Sequence, residues 1–282
     1  PQVHVEDVTI TTDIDGGDGI VTWSVLSHNA DLLATRVTIF DDEGNVVAEE
    51  TGANARTRIP SVHLWQPGQG YLYEAEISLV NGDEVIDAYR QAFGVRTIRV
   101  DGTCLLINGE PVYLTGFGMH EDHQTIGKAH NDALMLRDAA CLEWVGANSL
   151  RTSHYPYSEH ILDYADRHGL LVIDETPAVG MNMGLGGGIF GTQGYTTFSA
   201  ETINDETQKV HAQVIRDLID RDKNHPSIII WSIANEPESE TEAAENYFRP
   251  LFDVAHEADP SRPVSFVNVM LAPFGKCRVS QY

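Results

Sequence analysis

Carboxylates, imidazoles and amides follow several strand-like runs in the second part of the sequence. They occur in four groups: His120-Glu121-Asp122-His123, Arg151-Thr152-Ser153-His154-Tyr155, Asp174-Glu175 and Asn235-Glu236. These side chains can move protons, as the hydrolysis of a sugar or an ester requires. The glycine-containing turn at 116–120 opens no helix and matches no dinucleotide fingerprint. The four groups therefore predict acid/base hydrolysis rather than nucleotide chemistry.

Glu236 is the first candidate for a catalytic carboxylate. It comes directly after the apolar run 228–234 and Asn235. A carboxylate at the mouth of such a strand is partly removed from water, which suits a general acid. Asn235 can donate a hydrogen bond to a sugar hydroxyl. From the residues alone, an ordinary rim carboxylate remains the alternative, and we expect Glu238 and Glu240 to be solvated acids at a helix start.

Two other pairs of residues invite a chemical interpretation. His120 and His154 could be metal ligands, but no H-E-x-x-H motif and no neighbouring cysteine supports this, so we predict neither metal nor cofactor. Asp174 and Glu175 could supply a second carboxylate. The favoured interpretation is that they pair structurally with Arg151.

Two periodicities divide the chain. Residues 1–95 contain runs of period two, such as 21–25 and 35–40, separated by Gly/Asn/Asp turns, which predicts a β-sandwich. After about residue 100, strand-like runs such as 111–116 and 264–269 alternate with helical runs at 132–145, 158–167, 204–223 and 241–258. This alternation predicts parallel strands covered by helices, and polar residues at the strand ends are typical of (β/α)8 barrels.

The expected fold class is multi-domain β and α/β. We predict an immunoglobulin-like β-sandwich over residues 1–96, followed by the first part of a (β/α)8 TIM barrel over residues 97–282. About five barrel strands are recognisable, and a barrel needs eight. We therefore expect the remaining strands to belong to a longer chain.

Charge and composition exclude several classes of function. The formal net charge is −24, which disfavours nucleic acid and anionic membranes as partners. No run of about 18 apolar residues is present, so we expect a soluble protein, cytoplasmic or secreted. The cysteines, Cys104, Cys141 and Cys277, form no disulfide framework and are predicted to be buried free thiols. Trp65 is predicted to pack beneath a turn rather than to bind sugar.

Short motifs that occur together in one known family run along nearly the whole chain. They are Leu64-Trp65, Pro67 and Tyr71-Leu72-Tyr73; Phe93-Gly94-Val95-Arg96; Gly116-Phe117-Gly118 and His120-Glu121-Asp122; Gly146-Ala147-Asn148 and 151–157; Val172-Ile173-Asp174-Glu175; and 222–227 through 231–237. By these motifs the chain resembles family 2 glycoside hydrolases, and among them the β-glucuronidases most closely. The sequence Ala234-Asn235-Glu236-Pro237 differs from the Gly-Asn-Glu-Ser usual in the β-galactosidases of the family.

The resemblance implies a retaining hydrolase that cleaves β-D-glucuronides to glucuronate and an aglycone alcohol. Glu236 would be the acid/base, and Asn235 would contact the hydroxyl beside the anomeric carbon. His154, His120 and Asp122 would line the sugar subsite, and Arg151 would orient carboxylates. The glycine-rich stretch 180–191 would face the aglycone. A small-molecule glucuronide and further copies of the same chain would be the partners.

The sequence also departs from the family pattern. In the family, the nucleophilic glutamate belongs to a Thr-Glu-Tyr-Gly-like segment, and an Asn-x-Lys element binds the uronate carboxylate of the substrate. Neither segment occurs here. The nucleophile is therefore not present in this chain. Two alternatives stay open: a β-galactosidase-type hydrolase of family 2, and an inactive truncated product that at most binds sugar.

Overall fold

A computed structural model describes residues 2–179, 203–237 and 239–268. The glycine-rich stretch 180–191, Glu238 and Cys277 lie outside the described residues. The chain divides into two compact units. The first comprises Pro1–Leu114, His160–Leu171 and Lys223–Ser227, and the second comprises Thr115–Glu159, Val172–Asp222 and Ile228–Tyr282. The domain boundary between residues 96 and 97 stays a prediction.

The first unit contains the predicted sandwich. One sheet has the order β1-β2-β5, and the other has the order β4-β3-β6-β7, with antiparallel pairing throughout. The period of two places alternate side chains in one core, which includes Trp23, Ile39 and Phe93. The strands are β1 His4–Asp15, β2 Asp18–His28, β3 Ala34–Phe40, β4 Val46–Thr51, β5 Asn54–Ile59, β6 Tyr73–Asn81 and β7 Glu84–Phe93.

Trp65 packs as its sequence context predicts. Its side chain is fully buried, and its indole Nε1 donates to the backbone oxygen of Asp166 at 2.8 Å. Gly70 approaches the same backbone, where a Cβ atom would lie 2.1 Å from the Asp166 oxygen. Only glycine fits so close a contact, which explains the glycine after the Trp65 turn.

A short antiparallel sheet follows the sandwich in the first unit: β8 Ile98–Asp101, β9 Cys104–Ile107 and β10 Glu110–Val112. The single strand predicted over residues 111–116 is wrong. The chain forms β10 and then a separate strand β11, Gly116–Gly118. The reason is contact with residues remote in sequence: the N–H of Thr115 donates to the Asn148 side chain at 2.8 Å, and Gly116 fits directly against the backbone of Ser149.

The second unit contains the predicted β/α part. Its five-stranded sheet has the order β11-β14-β15-β16-β17, with parallel pairing in β11·β14, β15·β16 and β16·β17. The remaining strands are β12 Asp122–His123, β13 Gly127–Lys128, β14 Ser149–Arg151, β15 Leu171–Glu175, β16 Ile228–Asn235 and β17 Val264–Val267. β15 and β16 are almost wholly buried, which explains their continuous apolar runs.

The helices lie close to the predicted ranges: α1 Asp132–Trp144, α2 Glu159–His168, α3 Asp205–Asp222 and α4 Glu242–Ala258. Asn131 caps α1 and Thr241 caps α4, each by accepting a backbone N–H through its side chain. Glu240 is exposed in the turn before α4, as predicted. Among the helices that the structure describes, none has the length and apolarity of a membrane span.

The prediction of buried thiols is wrong for two of the three cysteines. Cys104 and Cys141 are free and exposed. Cys141 lies on α1, whose buried residues are Ala139 and Leu142, so the thiol falls on the opposite side of the helix.

Candidate active site

Three neighbouring strands bring their C-terminal ends to one edge of the sheet. Arg151 ends β14, Glu175 ends β15 and Asn235 ends β16. The Nη1 atom of Arg151 lies 2.7 Å from Oε2 of Glu175 and 3.1 Å from Oδ1 of Asn235. The parallel sheet therefore joins residues that are up to 84 positions apart in sequence.

Glu175 is the centre of this group, and its side chain is fully buried. Its Oε1 accepts from His154 Nδ1 at 2.6 Å, and its Oε2 accepts from Arg151 and from Ser232 Oγ, both at 2.7 Å. Such a set of donors satisfies a buried carboxylate. Both oxygens are occupied, so Glu175 orients its neighbours and is not an open second catalytic carboxylate.

Asp174 does not share this role. Its Oδ1 accepts from the Thr152 hydroxyl at 2.8 Å, and burial, together with the neighbouring Asp222, raises its pKa well above the usual range. Asp222 in turn accepts two hydrogen bonds from Arg221, both at 2.7 Å. The predicted pairing with Arg151 is thus found for Glu175. For Asp174 the prediction is wrong, because successive residues of a strand face opposite sides of the sheet.

The amide of Asn235 has a defined orientation. Its oxygen accepts from Arg151, and a guanidinium has donors only, so the amide NH₂ group is left to donate elsewhere. The side chain is only 5% exposed. An amide donor held in this way at a strand end can bind a ligand hydroxyl.

Glu236 terminates β16 in an unusual backbone conformation. Its φ is 51°, in the left-handed region, and its N–H donates to the Val267 oxygen at 2.7 Å. For a residue with a Cβ atom this conformation costs about 1–2 kcal/mol. The residue is half-buried. Such strain is often retained at functional positions, where the surrounding structure holds it in place.

His120 and Asp122 lie on a loop next to this group. The His120 ring centroid is 5.5 Å from that of His154, and Asp122 belongs to the small hairpin β12–β13. Tyr155 holds this loop: its hydroxyl accepts from the Glu121 N–H at 2.9 Å. His120 and Asp122 are both exposed, so their side chains are available to a ligand.

The positions of His120 and His154 bear on the question of a metal site. Within the described part of the chain, neither His120 nor His154 belongs to a group of three close metal-ligating atoms.

Three residues around the site had no predicted role. Thr152 and Tyr155 were named in one of the four groups without a function, and Ser232 was missed. Ser232 had a signal in the sequence, since it is a hydroxyl inside the apolar run of β16.

The site and the fold together define a class of protein, one in which a parallel β/α sheet carries acidic and amide groups at the C-terminal ends of its strands. Residues 98–281 match the family described as "Glycosyl hydrolases family 2, TIM barrel domain", and residues 3–96 match "Glycosyl hydrolases family 2". The chain belongs to glycosyl hydrolase family 2.

Several β-glucuronidases are among the relatives of this chain within the family. The chain is 40% identical over 281 residues to the β-glucuronidase of Paenibacillus borealis, covering 99% of this chain and 46% of that protein. A solved β-D-glucuronidase of Dictyoglomus thermophilum superposes with a TM-score of 0.90 at 39% identity, covering 100% of this chain and 46% of that chain. A β-glucuronidase of Ruminococcus gnavus in complex with D-glucaro-d-lactam gives a TM-score of 0.88 at 36% identity, covering 99% and 45%. The chain spans less than half the length of these relatives.

Proposed function

We propose that the whole protein to which this chain belongs is a retaining β-glucuronidase, with Glu236 as its acid/base. The observation that carries the proposal is the pair Asn235-Glu236 at the end of β16, with Asn235 bound to Arg151, in a chain similar to several β-glucuronidases. The reaction cleaves a β-D-glucuronide to glucuronate and an aglycone alcohol.

In the first step, Glu236 donates its proton to the glycosidic oxygen while the bond between this oxygen and the anomeric carbon breaks. A glutamate from another segment attacks the anomeric carbon and forms a covalent glycosyl-enzyme. In the second step, Glu236 removes a proton from water, and the water oxygen displaces the glutamate. Retention requires the two carboxyl groups to lie about 5–5.5 Å apart.

The surrounding residues bind and orient the sugar. The NH₂ group of Asn235 donates to the hydroxyl beside the anomeric carbon, because its oxygen is held by Arg151. His154 uses Nδ1 to reach Glu175, so its Nε2 is the ring nitrogen that faces the sugar. His120 and Asp122 complete the subsite. Arg151 contacts Glu175 and Asn235 and is a positioning residue.

The substrate class is tested on the whole protein with aryl β-glucuronide against aryl β-galactoside. We expect kcat/KM to favour the glucuronide by at least about 100-fold, since a site built for a charged group rejects a substrate that lacks it. D-glucaro-d-lactam, the ligand bound to the Ruminococcus gnavus relative, should inhibit. A preference for the galactoside would assign the β-galactosidase alternative, and hydrolysis of neither would refute the proposal.

A further inference from the structure

The backbone oxygen of Ile233 receives two hydrogen bonds from side chains. Thr176 Oγ1 donates to it at 2.7 Å, and His211 Nε2 lies at the same distance. The three residues are buried, with exposed fractions of 1% for Thr176, 7% for His211 and 1% for Ile233. Ile233 lies three positions before Glu236, so these bonds act on the end of the strand that carries it.

An irregularity in the sheet explains why side chains bind this oxygen. The pairing of β16 with β15 ends at Ser232, and the register of β16 against β17 shifts between Ser232 and Asn235. A bulge interrupts the ladder and leaves backbone groups to be satisfied in other ways. Thr176, just beyond β15, and His211, on α3, supply the donors.

The hydrogen bonds of His211 define its protonation state. Since a carbonyl only accepts, Nε2 carries the hydrogen, and Nδ1 faces the Tyr247 hydroxyl at 3.4 Å. Burial lowers the pKa of His211, so the ring is neutral at neutral pH. The ring therefore has one tautomer and a fixed orientation between α3 and β16.

We propose that His211, together with Thr176, is a positioning residue for Glu236. The two side chains hold the Ile233 oxygen at the bulge, and they thereby hold the end of β16, which Glu236 directly follows. The proposal rests on the proposed function. Glu236 adopts a left-handed φ of 51°, which persists only where the neighbouring backbone is held. His211 reaches Glu236 through the β16 backbone and takes no part in proton transfer.

A loss of this positioning has a characteristic kinetic effect. A general acid must be within hydrogen-bond reach of the leaving oxygen, and a displacement of about 1 Å can reduce the rate about 100-fold. An alkyl leaving group needs this proton, whereas a nitrophenolate leaves without much help. A displaced Glu236 therefore slows alkyl glucuronides more than nitrophenyl glucuronides, and it changes kcat more than KM.

The test compares His211→Leu, His211→Gln and Thr176→Val in the whole protein on methyl and p-nitrophenyl β-glucuronide. We expect His211→Leu to lower kcat at least about tenfold more on the methyl substrate. His211→Gln, which keeps a donor, should recover most of the activity on the methyl substrate, and Thr176→Val should show the same larger loss on the methyl substrate as His211→Leu. Val214→Ala, on the same helix, is the matched control and should lower Tm without changing selectivity.

Equal losses on both substrates in His211→Leu and Thr176→Val would overturn the positioning role. Where His211→Leu does not fold, Thr176→Val decides by the same comparison. Glu236→Gln separates the two proposals. If Glu236→Gln loses methyl glucuronide hydrolysis while His211→Leu and Thr176→Val slow both substrates equally, only the role of His211 is refuted. If it keeps that hydrolysis, both proposals are refuted.

Discussion

Arg151 determines which end of the Asn235 amide is available to a ligand. Its Nη1 lies 3.1 Å from the amide oxygen, and a group with donors only cannot accept from the amide nitrogen. The same Nη1 is held 2.7 Å from the buried carboxylate of Glu175. The buried Glu175 thus holds Arg151 in place, and Arg151 in turn fixes the orientation of the Asn235 amide.

This relationship predicts the effect of Asn235→Asp. Aspartate keeps an oxygen facing Arg151 but has no NH₂ group to donate to the sugar. We expect Tm to stay close to that of the unsubstituted protein, while kcat/KM for an aryl glucuronide falls about 100-fold or more, as for the loss of one preorganised donor. Steady-state kinetics and thermal unfolding measure the two effects separately.

Asn235→Ala is the control for this prediction. It removes the acceptor for Arg151 as well as the donor, so it should lose activity to a similar extent and also lower Tm. Full activity in Asn235→Asp would show that the amide donor is not used.

Glu175→Gln should destabilise the fold. Both oxygens of Glu175 accept from donors, His154 on one side and Arg151 with Ser232 on the other. A glutamine removes the negative charge that pairs with Arg151, and in one of its two orientations it places its NH₂ group against the Arg151 donor. Disrupting a buried ion pair in this way costs about 3–5 kcal/mol of the free energy of unfolding. Denaturant unfolding measures this loss.

A matched control is Glu206→Gln, because Lys209 lies 2.9 Å from this glutamate. The Glu206 side chain is 82% exposed, in contrast to 0% for Glu175. The exposed pair should contribute less than about 1 kcal/mol. Equal effects of the two substitutions would contradict the central role of Glu175.

The lowered pKa of Asp259 predicts that the stability of the fold depends on pH. Burial by itself would raise its pKa, but Arg262, Ser261 and Trp231 together lower it to about 2 from the usual 3.8. Because the folded pKa is lowered, the contribution to stability is complete above 3.8 and is lost as the pH falls through about 2. This shift corresponds to roughly 2 kcal/mol.

The measurement is the difference in the free energy of unfolding between the unsubstituted protein and Asp259→Asn. This difference should shrink by roughly 2 kcal/mol between neutral pH and about pH 2. A difference that stays constant over the range would show that the carboxylate is not stabilised by its neighbours in the folded state.

The fold was predictable where burial imposes a period on the sequence. The strands of the sandwich alternate, and β15 and β16 appear as continuous apolar runs because both of their faces are covered. Helix ends were predictable to within a few residues. The split of 111–116 into β10 and β11 was not, because it depends on the hydrogen bond that the Thr115 N–H donates to Asn148 Oδ1, and Asn148 lies 33 positions further along the chain.

The site was predictable in its residue types but not in its contacts. Sequence placed Arg151, Glu175 and Asn235 at strand ends, but it did not show which of Asp174 and Glu175 faces Arg151. His211 was missed because its partner is the backbone oxygen of Ile233, and a backbone atom leaves no signature in a sequence. Within α3 it is simply one more residue of a buried helix face.

The most direct test of the account is Glu236→Gln in the whole protein, measured on an unactivated alkyl glucuronide and on p-nitrophenyl glucuronide, with and without azide. We predict near-complete loss on the alkyl substrate, a smaller loss on the nitrophenyl substrate, and partial rescue of the latter by azide as the glycosyl azide forms. Hydrolysis of the alkyl glucuronide at close to the unsubstituted rate would contradict the assignment of Glu236 as the acid/base.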